Sequence, residues 1–324
     1  MKVLTYAEAI REALREEMLR DHDVFLIGED IGTWGGAYKC TVGLYEEFGP
    51  ERVIDTPISE AAIMGAGIGA ALMGLRPVAE IMYMDFIPLA LEQILNHAAK
   101  MHFMSGGQLR VPLTIRTQYS LGRAYGPQHS QFFPSWFMNM PGIFLALPST
   151  PSDAKGLLKS AIRAENPTVF IECAGLYHRF KGPVPEEEYI IPFGKAEIKR
   201  TGKDVTVIAI SRMVHEALAT ANELEKRNIS VEVVDPRTLI PLDKNTIINS
   251  VKKTGHVVVA SDDTKTGGIC AEILSVINEE AFEYLDAPMK RVSAPDMPAP
   301  SSCELEKQYI PNKDNLVKAI IDIL

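Results

Sequence analysis

Two successive blocks in which short β-branched or apolar runs alternate with longer stretches of helical spacing limit this chain's fold more than any other feature. In the first block the strand candidates are Val24–Ile27, Pro77–Tyr83, Pro112–Thr117, Gly142–Ala146 and Thr168–Ile171, and the spacing predicts helices over Glu60–Met73, Phe86–Met104 and Ser152–Ala164. The pattern dissolves between Leu176 and Gly194, where Lys181-Gly182-Pro183-Val184-Pro185 precedes three glutamates. It restarts with strands Val205–Ile210, Ser230–Val234 and Val257–Ala260, and helices over Val214–Arg227, Asp243–Lys253 and Ile269–Ala281. Strands joined by helical crossovers run parallel and need a helix layer on each face. The expected fold is therefore α/β, with two domains of mostly parallel sheets flanked by helices: residues 1–180, a linker over 181–193, and residues 194–324.

The 324 residues suit two such domains at roughly 100–200 residues each. Lys and Arg total 33 against 42 Asp and Glu, a net charge of −9 that disfavours nucleic acid and anionic membranes as partners. The longest uncharged apolar run, Ala61–Leu75, falls short of the roughly 20 residues that span a bilayer, and no signal-peptide pattern opens the chain. Cys40, Cys173, Cys270 and Cys303 stand far apart, which predicts reduced thiols and a cytoplasmic protein rather than a disulfide framework or zinc site. Thr5-Tyr6-Ala7-Glu8 reads as a capping box, opening a helix with Tyr6, Ile10, Ala13, Leu14 and Met18 on its apolar face as far as Arg20.

Gly65-Ala66-Gly67-Ile68-Gly69-Ala70 matches a dinucleotide fingerprint in letters only. Thr56–Glu60 separates it from the preceding strand, so the glycines fall inside a helix and serve close packing rather than an NAD(P) pyrophosphate. Ser59 can cap that helix, which puts Glu60 in its first turn. A carboxylate there either complements the helix dipole or, being partly desolvated beside an apolar helix, takes part in proton exchange. His129 lies in the turn-prone Gly126-Pro127-Gln128-His129-Ser130-Gln131 after a strand, where α/β proteins place reactive groups; a merely exposed histidine is the simpler reading. There is no phosphate loop, no G-x-S-x-G elbow, and no Gly-Asp-Gly segment of the kind that binds magnesium and diphosphate.

Taken in order, these landmarks resemble the beta subunit of the thiamine-diphosphate-dependent decarboxylating component of 2-oxo acid dehydrogenase complexes, a group that includes pyruvate, branched-chain 2-oxo acid and acetoin dehydrogenases. The resemblance runs through Ile27-Gly28-Glu29-Asp30, Asp55-Thr56-Pro57-Ile58-Ser59-Glu60, Gly74–Val78, Asp85-Phe86, Met104–Gly107, Gln128–Gln131, Asp153–Leu158 and Arg237–Asp243. It implies a transketolase-like pyrimidine-binding domain followed by a transketolase C-terminal-like domain. By the resemblance Glu60 hydrogen-bonds the aminopyrimidine ring nitrogen of thiamine diphosphate and favours its imino form, and Phe86 stacks on that ring. His129 lies near the substrate and the incoming lipoyl group and stabilises charge or delivers a proton during acyl transfer, a task suited to imidazole. A potassium ion on the main-chain carbonyls of Leu113, Ala161, Ile162, Ala164 and Asn166 is also implied.

The missing diphosphate motif fits a division of the site between two chains. The resemblance implies a separate alpha subunit that supplies magnesium-diphosphate binding, an assembly of two alpha and two beta subunits, and docking to a lipoyl acyltransferase core. The expected activity is oxidative decarboxylation of pyruvate or a related small 2-oxo acid. Acetoin cleavage is the alternative, because Ser211–His215, Trp34-Gly35-Gly36 and Arg116-Thr117 look closer to acetoin-type subunits. More remote are a nicotinamide-dependent oxidoreductase and a non-catalytic scaffold subunit. Ala62, where many relatives have glycine, and Asp262-Asp263, where glutamate is common, depart from the pattern without touching Glu60 or His129.

Overall fold

Thr5 and Glu8 start the first helix as a reciprocal pair. The Thr5 hydroxyl accepts from the Glu8 N–H at 3.2 Å, and the Glu8 carboxylate accepts from the Thr5 N–H at 2.7 Å. The helix Tyr6–Arg20 buries Tyr6, Ile10, Ala13, Leu14 and Met18. On another side, Glu16 receives the ammonium groups of Lys155 and Lys159, at 2.6 and 2.8 Å, from the helix Pro151–Arg163. Both lysines are buried, so this ion cluster fixes the pairing of the two helices where apolar contact alone would leave their register open.

The computed structural model describes residues 1–324 and divides into two units. The N-terminal unit comprises Met1–Ser120 and Phe137–Phe193; the C-terminal unit comprises Leu121–Trp136 and Gly194–Leu324. Within the segment read as a linker, Lys181–Val184 forms a strand antiparallel to Lys2–Thr5, and the C-terminal unit resumes at Gly194. No helix is long and apolar enough to cross a membrane.

In the N-terminal unit six parallel strands lie in the order Phe144–Ala146, Thr168–Cys173, Thr114–Tyr119, Arg76–Ile81, Val24–Gly28 and Val53–Asp55. Three of them, Val24–Gly28, Thr114–Tyr119 and Thr168–Cys173, are buried along their whole length, as parallel strands covered on both faces require. The helix Glu60–Leu72 buries Ile63, Met64, Gly67, Ile68 and Ala71, while Ala62, Ala66, Gly69 and Met73 stay exposed. Close packing holds at Gly67 alone, where an added Cβ would stand 3.2 Å from Leu113 Cδ1; at Gly69 it would meet nothing. The single helix expected over Phe86–Met104 is broken. Phe86 ends a 3₁₀ turn, Met84–Phe86, and Pro88 sits in the first turn of the helix Ile87–Glu92, where its missing N–H is tolerated. The departure comes later, where the backbone widens into a π-helix over Gln93–Ala98 before a last helical turn at Met101–Met104.

The C-terminal unit holds five strands in the order Lys290–Ala294, Val257–Thr264, Val205–Ala209, Val231–Asp235 and Glu197–Arg200, all parallel except the last. Val205, Val207, Val231, Val233 and Val258 form its core with Met213, Ala217 and Leu224 on one helix and Leu316 and Ile320 on another.

Candidate active site

Strand order decides where the N-terminal unit can hold a ligand. The chain leaves Val24–Gly28 for Val53–Asp55 on one side, then crosses to Arg76–Ile81 on the other, so the carboxyl ends of these strands flank a topological switch point. Glu29 follows the first strand, Glu60 the second, and Tyr83 and Phe86 the third. Gly28 has to be glycine: a Cβ there would lie 2.9 Å from the Glu80 carbonyl oxygen. The next turn is held by Asp55, whose Oδ1 accepts the Gly32 N–H at 2.6 Å.

Glu60 opens its helix half-buried, and its carboxylate has no hydrogen bond or ion pair within the chain. Ser59 stands at the cap position, but its hydroxyl makes no capping bond, contrary to the reading from sequence; its φ of −163° and ψ of 84° aim it elsewhere. The Thr56 hydroxyl, in the turn just before Glu60, is buried without a partner. A half-buried carboxylate without an internal partner and an orphaned buried hydroxyl thus stand four residues apart, each with bonding capacity that a polar ligand could complete. Sequence reasoning missed Glu29 as a member of this group. Burial raises its pKa, and the charges of Asp30 and Glu60 raise it further. Its position directly after a parallel strand was the signal available.

Phe86 is half-buried and packs against Tyr83 with centroids 6.5 Å apart. Tyr83 meets Tyr38 edge-on at 6.0 Å, and Tyr38 stacks on Tyr177 at 4.8 Å. Tyr177 donates its hydroxyl to Glu172, itself paired with Arg116, so an aromatic chain links Phe86 to a buried ion cluster. These residues supply an aromatic face and a free carboxylate at the same end of one sheet.

His129 is carried by the other unit. Residues 121–136 interrupt the N-terminal unit in sequence and cluster with the C-terminal one. There a second switch point lies between the ends of Val205–Ala209 and Val257–Thr264. It is marked by Arg212, which donates to both carboxylate oxygens of Asp262. A cavity of about 340 Å³ opens there, walled by Pro127, Ser130 and Trp136 of the histidine loop and by Asp262, Met297 and Tyr309. Ser130 is buried with its hydroxyl unpartnered. His129 is half-buried, and its N–H donates to the Gly126 carbonyl at 3.3 Å.

The five carbonyls proposed for potassium all accept hydrogen bonds already. Leu113 O takes the Thr168 N–H at 2.9 Å, Ala161 O the Ala164 N–H at 3.2 Å, and Asn166 O the Thr168 hydroxyl at 3.5 Å. Ile162 O and Ala164 O both take Arg76 Nη1, at 3.1 and 3.2 Å. The carboxylates of Glu165 and Asp21 also pair with Arg76, so the guanidinium already supplies the positive charge at Ile162 O and Ala164 O, and a potassium ion on this donor set would compete with it.

Comparison with known proteins agrees with this architecture. Residues 2–179 match the transketolase pyrimidine binding domain and residues 194–316 the transketolase C-terminal domain. The chain is 47% identical over 324 residues to the 2-oxoisovalerate dehydrogenase subunit beta of Bacillus subtilis (strain 168), covering 100% of this chain and 99% of that one. It is 43% identical over 335 residues to the acetoin:2,6-dichlorophenolindophenol oxidoreductase subunit beta of the same organism, covering 100% and 98%. To the pyruvate dehydrogenase E1 component subunit beta of Rickettsia felis it is 44% identical over 318 residues, covering 98% and 97%. Among solved structures, a split gene transketolase, an inactive beta4 tetramer, superposes with a TM-score of 0.80 at 23% identity, covering 98% of this chain and 97% of that one.

Proposed function

The chain belongs to the family of beta subunits of 2-oxo acid and acetoin dehydrogenases, built from a transketolase pyrimidine binding domain and a transketolase C-terminal domain. From that premise we propose that it works with an alpha subunit in the thiamine-diphosphate-dependent oxidative decarboxylation of pyruvate or a related small 2-oxo acid and in transfer of the acyl group to a lipoyl domain.

The observation that carries this reading is Glu60, a half-buried carboxylate without an internal partner, at the same sheet end as Phe86. The residues fit an aminopyrimidine: Glu60 shares a proton with a ring nitrogen, Phe86 offers its face, and the Thr56 hydroxyl gains a partner. When bound, the cofactor supplies the carbon nucleophile that takes up the acyl unit. His129 delivers a proton to, or stabilises charge on, the group that receives the acyl unit. Magnesium and diphosphate are held by the alpha subunit, since this chain has no segment for them. The exposed apolar stripe Ala62, Ala66, Gly69 and Met73 beside exposed Ile58 suits burial in an assembly of two alpha and two beta subunits, which then docks on a lipoyl acyltransferase core. A potassium ion on the carbonyls of Leu113, Ala161, Ile162, Ala164 and Asn166 completes the reading.

Reconstitution with the alpha subunit tests the proposal. Glu60→Gln should lower turnover at least about a hundredfold while the chain still folds and assembles. Near-normal turnover would remove Glu60 from the mechanism. Comparing pyruvate, branched-chain 2-oxo acids and acetoin as substrates of the native pair decides between the 2-oxo acid reading and acetoin cleavage.

A further inference from the structure

We propose that Glu306 is a positioning residue for His129: from a helix remote in sequence it clamps the backbone of the histidine loop and sets where the imidazole stands. The proposal rests on the reading of His129 as the proton donor of acyl transfer. Glu306 is 3% exposed, on the short helix Cys303–Tyr309. Its two oxygens go to two main-chain donors, Oε1 to the Gly122 N–H at 3.0 Å and Oε2 to the Ala124 N–H at 2.7 Å. N–H groups two residues apart converge in this way only where the intervening backbone is folded into a concave, anion-binding turn.

The backbone of the loop shows that the clamp is needed. Ala124 has a φ of 55°, a conformation that a residue with a Cβ rarely holds unless its surroundings enforce it. Two residues on, Gly126 has a φ of 78° and presses on the same C-terminal segment, with a Cβ there coming 2.6 Å from Ser301 Oγ. The Gly126 carbonyl then accepts the His129 N–H, which passes the constraint to the imidazole's own backbone. Every contact in this series lies within the C-terminal unit. A buried carboxylate that serves two amides and no cation stabilises one loop conformation above its alternatives, and the residue that conformation presents is His129.

The test uses the chain reconstituted with its alpha subunit and compares Glu306→Gln, His129→Ala and the double variant. Glutamine keeps the shape but turns an N–H₂ group toward one of the two donors. Glu306→Gln should slow acylation of a lipoyl domain at least about tenfold, leave decarboxylation with an artificial electron acceptor near the native rate, and add nothing to the loss already present in His129→Ala. A merely structural glutamate would lower both reactions and add to His129→Ala. Amide exchange over residues 121–136 should speed up in Glu306→Gln with the rest of the chain unchanged. Unchanged exchange there, or additive losses in the double variant, would overturn the proposal. Should Glu306→Gln fail to fold, Gly126→Ala loosens the same loop from the Ser301 side and should give the same selective loss; equal loss of both reactions would overturn the proposal. If His129→Ala acylates normally, the assigned role of His129 falls, and the exchange measurement alone decides the clamp.

Discussion

Arg116 and Glu172 are joined by two parallel hydrogen bonds, Nε to Oε1 at 2.7 Å and Nη2 to Oε2 at 2.8 Å, with both side chains buried in the N-terminal sheet. Glu80, one strand away, takes the remaining Nη1 at 2.6 Å. Burial works against the charge of Arg116, but Glu172 and Glu80 outweigh it and raise its pKa; burial pushes the Glu80 carboxyl up in spite of the guanidinium. The cluster therefore depends on its one cation.

Replacing that cation should be costly. Arg116→Met leaves two buried carboxylates facing each other and should lower unfolding free energy by about 3–5 kcal/mol. The deficit should shrink as pH falls, because protonation removes the uncompensated charges. Chemical denaturation across pH measures both effects, and a deficit that is independent of pH would contradict the charge argument.

Two glycines of one helix separate packing from propensity. Gly69→Ala enters open space and should stabilise the isolated chain by about 0.5–1 kcal/mol. Gly67→Ala gains the same propensity but has to displace the buried Leu113, so its net effect should fall at or below zero. Equal gains at the two sites would show that Gly67 is not tightly packed. The glycines first drew notice as a false dinucleotide fingerprint, and one of the three has the packing role assigned to them.

Signals confined to a few residues were legible in the sequence. The Thr5/Glu8 box, the strand-then-helix rhythm and the placement of Glu60 in a first turn are all set by neighbours within four residues, and the helices Tyr6–Arg20 and Ile269–Ala281 appear where the periodicity put them. What stayed hidden is set by distant partners. Nothing near Arg116 in the sequence shows what balances its charge within a strand, because Glu80 and Glu172 come from neighbouring strands 36 and 56 residues away. The histidine loop reads as part of the first domain because its anchor, Glu306, lies 182 residues beyond Ala124. Phe86 was placed correctly after its strand, yet the 3₁₀ turn that holds it and the π-helical stretch Gln93–Ala98 were not anticipated.

Arg76 and a potassium ion would draw on the same carbonyls, and that competition can be measured. Arg76→Met frees Ile162 O and Ala164 O and leaves Asp21 and Glu165 without their guanidinium partner. It should destabilise the chain by about 1–3 kcal/mol. Exchanging sodium for potassium should then raise the melting temperature more in the variant than in the native chain. A potassium effect absent from both proteins would remove the cation from this site.

Asp263 makes stability depend on pH with a definite sign. It is buried, its Oδ2 accepts the Ile269 N–H at 2.7 Å, and burial, aided by the neighbouring Asp262, pushes its carboxyl up to about 6 from 3.8. The folded chain therefore holds a proton that the unfolded chain has released. The stability this proton contributes is fully present below the unfolded value of 3.8 and is lost as pH rises through the folded value of about 6. Asparagine resembles the protonated form and can still accept from Ile269. Asp263→Asn should therefore exceed the native chain in unfolding free energy by about 1–3 kcal/mol above pH 6, with the gap closing toward pH 4. Paired denaturation curves at pH 4, 6 and 8 decide it: a gap of constant size, or a native chain more stable than the variant at pH 8, would show that Asp263 is held ionised by contacts stronger than its burial.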